Sequence, residues 1–319
     1  MILPKQRCLF TRRDGVLYIS PVRDNEFQEG SFEMDDIRRL TLTTVLMSGL
    51  FCILYYSTFL ELAGVWVRDE DYSHGFLVVP VSLYLIWRKR EKIIGKPVEP
   101  SRLGFAFLSA WAFLYFLGIG AEISVFERVS LIVFIFGALL STAGIRITRV
   151  VAFPVLFLIF MIPIPSEIYT MLTNPLKLFA TTCSVNILQL FDIPVLQEGN
   201  LIQLPNYSMK VVVACSGIRS LISVIAMAFL MGYILFASNI QRFILLVFSV
   251  PVSLLGNVVR ITLTGLLAYY LSSHLAEGYS HLVAGILTLA LSFLCLLMGS
   301  VAIQWLEQKK MQYTSWFLR

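Results

Sequence analysis

Charged residues are scarce in this chain. Of its 319 residues only 14% are charged, while 57% are hydrophobic. Soluble globular chains are usually about 25% charged and roughly 45–50% apolar, so this composition excludes an ordinary soluble fold. The apolar runs also lack the period-2 alternation of β-barrel strands. The net charge is only +5 and its basic clusters flank apolar runs, which indicates membrane topology rather than nucleic-acid binding.

Paired cysteines are also missing. The five cysteines form no CxxC motif, so the sequence indicates neither a zinc site nor a disulfide framework. We therefore expect no metal and no cofactor. The N-terminus, MILPKQRCLFTRRDG, has no apolar core followed by a small-residue cleavage site, and no removable signal peptide is expected.

The chain has instead a series of long apolar runs. Several are roughly 18–22 residues long, the length of helix that crosses about 30 Å of hydrocarbon. They predict an all-α, polytopic transmembrane bundle of about eight spans, with a short non-helical outer segment. The predicted divisions are a polar N-terminal segment (1–39), a membrane domain (40–305) and a basic tail (306–319). The predicted spans are 40–60, 75–87, 103–120, 129–145, 150–163, 217–236, 243 to beyond 260, and 282–305.

Three segments fit this pattern less well. Residues 1–39 are consistent with either a short adaptor-like segment or a disordered tail. Residues 166–191 contain Pro175 and are less uniformly apolar, which suits an interfacial or re-entrant helix pair. Residues 192–214 carry Gly, Asn and Pro breaks between short β-prone pieces, and we predict the chain's one sizeable non-helical segment here.

Lysine and arginine predict the orientation, because they concentrate on the cytoplasmic side of membrane proteins. Eight alternating crossings place every basic cluster inside: the N-terminal segment, residues 88–96, Arg146 with Arg149, Arg242, and the tail. The outer segments are then 61–74, 121–128, 164–216 and 261–281. We expect a multi-pass protein of the bacterial inner membrane whose site faces the periplasm.

Three reactive residues meet at this outer boundary. Cys215 lies where an outer segment enters the sixth span, and His281 lies where the eighth begins. Arg260 is about 17 residues into the seventh span, or roughly 25 Å from the inner face. A cation or a helix N-terminus favours a reactive thiolate, histidine is the usual acid and base near neutrality, and arginine can stabilise an oxyanion. Together these groups suffice for acyl transfer through a thioester.

Each of these residues also has a plainer interpretation. A lone Cys at a helix start is usually a small buried residue, a lone outer His is usually solvated, and a lone Arg at a span end usually snorkels to the head groups. Cys183 is the rival cysteine on the outer side, but no motif flanks it.

Three further positions are candidates for substrate binding. Arg219 is one helical turn from Cys215 and so shares its face; reading an acidic substrate residue and snorkelling are equally consistent with it. Asn257 precedes Arg260 by one turn and is placed to orient it. His74, with Asp71 beside it, lies in an outer loop, where either a site role or a loop-capping role fits.

The order of these motifs resembles the exosortase/archaeosortase family of membrane transpeptidases. The resemblance is carried by CSGIRS, by the Arg in NVVR, by a His before the last span, and by the early segment YSHGFLVVPVSLYLIWRKR. It implies that Cys215 is the nucleophile and that Arg260 and His281 assist it. It also implies substrates: secreted proteins ending in a short motif such as Pro-Glu-Pro, a transmembrane helix and a basic tail. The resemblance does not identify the acceptor of the new carboxyl end. It implies that the reaction takes place in contact with membrane lipid.

Two other classes of function remain open from the sequence. A transporter or channel predicts inverted repeats and polar residues at the bilayer centre, and no repeat is visible. A non-catalytic factor in exopolysaccharide or envelope assembly would keep the fold and tolerate loss of Cys215.

Overall fold

The computed structural model describes residues 8–13, 16–21, 34–69, 72–205, 207–210, 218–270 and 279–317. Helices make up most of these residues, and two small antiparallel sheets contain the strands found among them. The predicted helical architecture is therefore confirmed. The chain divides into two compact units, Met1–Pro163 and Ile164–Arg319.

The first unit combines an N-terminal sheet with apolar helices. Strands β1, β2 and β3 form the sheet in that order, with Tyr18 opposite Pro97. Helices α5 and α6 pack closely, since a Cβ added at Gly104 would lie 2.5 Å from the backbone N of Ser141. Small residues of this kind let membrane helices approach each other. In chain order the elements are β1 (Cys8–Arg13), β2 (Val16–Pro21), α1 (Met34–Leu54), α2 (Tyr56–Arg68), α3 (Gly75–Arg88), α4 (Arg90–Ile93), β3 (Pro97–Val98), α5 (Leu103–Gly120), α6 (Ser124–Thr142), α7 (Ile145–Phe157) and a 3-10 helix (Leu158–Met161).

The turn between α6 and α7 requires a glycine. Gly144 has a φ of +82°, and a Cβ there would lie 1.9 Å from the carbonyl oxygen of Glu99. The left-handed backbone is unfavourable for residues with a side chain, and the close contact excludes a Cβ altogether. Arg146 then forms an ion pair of 3.1 Å with the Glu99 carboxylate, which ties the start of α7 to the segment before α5.

The described residues of the second unit form four helices and a small sheet. Strands β4, β5 and β6 pair as two consecutive antiparallel hairpins, with Ile202 opposite both Gln197 and Met209. Helix α10 is the centre of the unit, because α8, α9 and the last helix all contact it. In chain order the elements are α8 (Ser166–Leu190), β4 (Leu196–Glu198), β5 (Leu201–Leu204), β6 (Tyr207–Lys210), α9 (Ile218–Leu235), α10 (Asn239–Tyr270) and α11 (Tyr279–Phe317).

Several helices have the length and composition of membrane spans. Among the described residues four qualify by themselves, and the number rises to six if two bent helix pairs each count as one span. Two further apolar stretches, Gly75–Arg88 of α3 and Ser220–Leu235 of α9, are shorter than these spans. Large apolar side chains on these helices face outward, among them Phe113 and Phe116 of α5 at 68% and 69% exposure. The protein is therefore a multi-pass membrane protein, and the predicted count of about eight spans is not confirmed.

The helix boundaries correct four predictions. The first apolar run is two helices, because the chain bends by 55° where α1 and α2 meet at Tyr55. Residues 166–191 form one helix, α8, that continues through Pro175, rather than a helix pair. Residues 192–214 are not the one sizeable non-helical segment, since residues 8–21 also contain two strands. Helix α10 begins at Asn239, four residues before the predicted start of the seventh span.

Candidate functional site

Helices α9 and α10 form an antiparallel pair whose register locates the site along α10. Ser253 of α10 donates a hydrogen bond of 3.4 Å to Oγ of Ser220 in α9. Near the other end of α9, Gly232 lies beside the backbone of Arg242. Numbers rise on one helix as they fall on the other, so the start of α9 lies toward the Tyr270 end of α10. The chain that enters α9 therefore approaches from the side of Arg260.

Arg260 is buried in this unit. It lies about 21 residues after the start of α10, roughly 32 Å along the helix. Only 6% of the residue is exposed, so the snorkelling interpretation is wrong for it. An arginine in a membrane helix is costly unless it faces the protein interior or a polar path. Its burial makes Arg260 a strong candidate for a functional role.

A hydrophobic cluster surrounds the part of α10 that carries Arg260. Val258 and Ile261 of α10 belong to it, on either side of the arginine in sequence. Helix α8 contributes Leu188, and the sheet contributes Ile202 of β5 and Met209 of β6. Ser184 of α8 also donates a hydrogen bond of 3.3 Å to the carbonyl of Val258. Residues of the long connection 166–210 thus form a wall against α10 at the level of Arg260.

Helix α11 packs antiparallel to α10. Gly256 lies against Thr288, where an added Cβ would approach Cγ2 to 3.0 Å, and Phe248 lies against Gly299. This register places a residue near 286 opposite Arg260. His281 is then about five residues further on, roughly 8 Å beyond Arg260 toward the start of α11. The backbone of His281 is in the first turn of α11, and its side chain lies outside the described part of the structure.

Cys215 lies outside the described residues, but the elements on both sides of it are described. Strand β6 ends at Lys210 and contacts α10. Helix α9 begins at Ile218, about two residues from the Ser220 contact to α10. The two ends of the segment that carries Cys215 therefore both lie against α10. The β6 end belongs to the cluster that includes Val258 and Ile261, and the α9 end lies near Ser253. Seven residues join them.

The other predicted binding residues divide between the two units. Asn257 is 1% exposed on α10, so it shares the interior face of that helix with Arg260, as one turn of spacing predicts. Arg219 is the second residue of α9, and its side chain is not among those described.

His74 belongs to the first unit. Its Nε2 donates a hydrogen bond of 3.0 Å to the carbonyl of Phe160, and Trp66 donates one of 3.0 Å to the carbonyl of Met161. The two side chains fasten α2 and the start of α3 to the 3-10 helix. His74 therefore has a structural contact, and its role in substrate binding stays a prediction.

The other cysteines whose side chains the structure describes lie in hydrophobic clusters or at the surface. Cys183 is partly buried and packs against the cluster on α8 and α10. Cys295 packs against a second cluster between α9, α10 and α11, and Cys52 is exposed on α1. Among the side chains that the structure describes, no three His, Cys, Asp or Glu groups are placed to hold a metal ion.

Sequence reasoning missed a buried polar group in the first unit. Trp111 donates a hydrogen bond of 2.8 Å to the Tyr55 hydroxyl, which also contacts Oγ of Ser130. Ser130 donates to the carbonyl of Glu127 at 2.6 Å, and Thr58 donates to the Glu127 carboxylate. These residues are far apart in sequence, and the sequence signal is polar residues within apolar helices. They fix the bend between α1 and α2.

Comparison with protein families decides the assignment. The model of the transmembrane exosortase family matches residues 66–298. The chain belongs to the transmembrane exosortase family. The matched range begins in α2, contains Cys215, Arg260 and His281, and ends in α11, so it includes all of the candidate site of this exosortase. No curated protein and no solved structure matches the chain significantly.

Proposed function

We propose that this exosortase is a cysteine transpeptidase that removes a C-terminal sorting signal from exported proteins at the outer face of the membrane. The substrates would be secreted proteins that end in a short motif, a transmembrane helix and a basic tail. The observation that carries the proposal is the setting of the segment before α9. Both of its ends pack on the stretch of α10 that carries the buried Arg260.

Cys215 is the proposed nucleophile. If the antiparallel register of α9 and α10 continued beyond Ile218, a residue near 213 or 214 would lie opposite Arg260. A cysteine there is close to a fixed positive charge and just ahead of a helix N-terminus, and both favour the thiolate. The thiolate attacks the carbonyl carbon of the scissile peptide, and Arg260 stabilises the oxyanion that results. Asn257 orients Arg260 from one turn away.

His281 is the proposed acid and base. When the tetrahedral intermediate breaks down, the C–N bond cleaves and the leaving amine takes a proton from His281. The basic-tailed helix departs and a thioester remains on Cys215. His281 then accepts a proton from the acceptor amine as its nitrogen attacks the thioester carbonyl, and the thiolate is released. The same chemistry with water as acceptor gives hydrolysis.

Orientation and selectivity complete the proposal. We propose the eight-crossing topology in the bacterial inner membrane, with the basic segments inside and the site toward the periplasm. Arg219 selects the substrate by pairing with an acidic residue of its motif, because it lies one turn from the nucleophile. Family membership argues against the transporter alternative, and loss of Cys215 separates the enzyme from a non-catalytic assembly factor.

Processing of a reporter tests the proposal. A tagged exported protein carrying a Pro-Glu-Pro motif, an apolar helix and a basic tail is co-expressed with the wild-type chain, and cleavage is followed by gel mobility. Cys215→Ala should leave the sorting helix attached. Cys183→Ala is the matched control, because Cys183 packs against the same part of α10, and it should process normally. Normal processing by Cys215→Ala would contradict the cysteine mechanism.

A further inference from the structure

An apolar groove runs along the surface between α10 and α11. Its volume is about 200 Å³. It begins beside Val259, next to Arg260, and reaches Phe248, a distance of roughly 16 Å along α10. The groove therefore leads from the candidate site toward the basic end of the helix. Its main lining residues are Phe248, Leu255, Gly256, Val259, Leu291 and Ser292.

The rim of the groove faces outward. Leu255 of α10 is 65% exposed and Leu291 of α11 is 45% exposed. Both helices qualify as membrane spans, so either an acyl chain or another membrane helix covers this surface. A volume near 200 Å³ holds one large or two small side chains, since a cavity of roughly 150 Å³ accepts a benzene ring.

Ser292 favours a membrane helix over an acyl chain as the occupant of the groove. It is 2% exposed and lies in the wall of the groove, against Gly256. Its Oγ is buried and has no hydrogen-bond partner among the described residues. Serine hydroxyls between membrane helices commonly bond across the interface, and small residues let a further helix approach closely. An acyl chain offers no group for that hydroxyl at this depth.

We propose that this groove holds the transmembrane helix of the substrate, with the cleavage point at the Arg260 end. The inference rests on the proposed function, which supplies a substrate that is itself a membrane helix. A helix seated between Val259 and Phe248 would be held over about three turns. Its outer end would then be presented to the nucleophile without leaving the bilayer.

Site-specific photo-crosslinking tests the groove. A benzophenone amino acid replaces Leu255 or Leu291 in the Cys215→Ala chain, co-expressed with the tagged reporter that the wild-type chain processes. Control positions are Val250 of α10 and Phe293 of α11, which are 39% and 40% exposed and point away from the groove by helical spacing. We expect reporter adducts from the two groove positions at least tenfold above those from the controls. Each labelled chain is also made with Cys215 intact, to establish insertion and processing.

The outcomes separate this proposal from the proposed function. Equal reporter yields at groove and control positions, or adducts that contain only lipid, would overturn the groove assignment even if the wild-type chain cleaves the reporter. Processing by the Cys215→Ala chain would instead remove the cysteine mechanism, whatever the crosslinks show. As a second variant, Leu255→Trp should slow cleavage of the anchored reporter about tenfold, while Val250→Trp should not. Equal rates for these two variants would also count against the groove.

Discussion

Truncation of Ile202 tests whether the sheet of β4, β5 and β6 positions the proposed nucleophile. Ile202 of β5 is fully buried in the cluster that joins the sheet to α8 and α10. Ile202→Ala removes three carbons, each worth about 0.8 kcal/mol of burial, or roughly 2.4 kcal/mol in all. The cavity left behind raises the cost toward the 2–5 kcal/mol typical of such truncations. The loss of burial alone shifts the equilibrium between the docked and the undocked sheet about fifty-fold toward the undocked state.

The assay combines external proteolysis with reporter processing. Strand β6 ends at Lys210, so trypsin added to spheroplasts reports how often the sheet opens. Ile202→Ala should be cut at Lys210 up to about fifty-fold faster, because cleavage tracks the open population when reclosing is fast. Reporter processing should fall in parallel, since the chain from Lys210 leads to Cys215.

A neighbouring residue provides the control. Gln203 is on the opposite face of the same strand, where its amide donates a hydrogen bond of 2.9 Å to Glu198. Gln203→Ala should stay within about twofold of wild type in both assays, because surface changes cost little. Faster cutting of Ile202→Ala with undiminished processing would refute the reasoning and remove the sheet from the mechanism.

Three further predictions concern α9 and α10. Arg260→Ala should lower the initial rate of processing by roughly 10²–10³ at unchanged membrane abundance, as loss of an oxyanion donor does; pulse-chase labelling measures it, and a rate within twofold of wild type would exclude that role. Ser253→Leu should destabilise the detergent-solubilised protein by about 1–3 kcal/mol, because the added volume forces α9 from α10 at Ser220, whereas Ser253→Ala should cost about 0.6 kcal/mol; equal melting temperatures for the two would contradict the contact. Arg219→Lys keeps the charge but loses the bidentate fork, so it should slow cleavage of an acidic-motif reporter more than that of a neutral one, and equal slowing would indicate a structural role.

The lengths of the apolar runs correctly predicted several of the helices. The runs at 103–120 and 282–305 fall within α5 and α11, because an uninterrupted apolar run has one way to satisfy its backbone in lipid. Helix α8 was harder to predict, since Pro175 and its polar neighbours resemble a break. Beyond the proline, its small residues Ala180 and Ser184 pack toward α10.

The sequence contains a hairpin signal between the two N-terminal strands, although the segment as a whole is rich in basic residues. Asp14-Gly15 separates two stretches of six residues that form β1 and β2, and this dipeptide is typical of two-residue hairpin turns. The many basic residues of the segment are instead typical of a cytoplasmic flank of a membrane span. The pairing of β2 with β3 joins residues nearly 80 positions apart, and no local pattern indicates such a contact.

The part of α10 that carries the candidate site was predictable, but its surroundings were not. Counting residues along the predicted spans placed Arg260 in the later part of its span, and the registers of α9 and α11 put the starts of both helices on the Tyr270 side of α10. Burial of Arg260 depends on Val258, Ile261 and the sheet around them. A sequence motif does not encode which residues of the connection 166–210 pack around it, so those individual contacts emerged only from the structure.

The central claim is that Cys215 forms a thioester with the new carboxyl end of the substrate. The most direct measurement is peptide mass spectrometry of the wild-type chain purified with the tagged reporter after rapid acid quenching, compared with and without hydroxylamine, which cleaves thioesters. The account predicts a covalent adduct on the peptide containing Cys215 that carries the reporter's new C-terminus and disappears with hydroxylamine. It also predicts no adduct and no processing in Cys215→Ala. A reporter adduct on another residue, or a processed reporter from the Cys215→Ala chain, would contradict it.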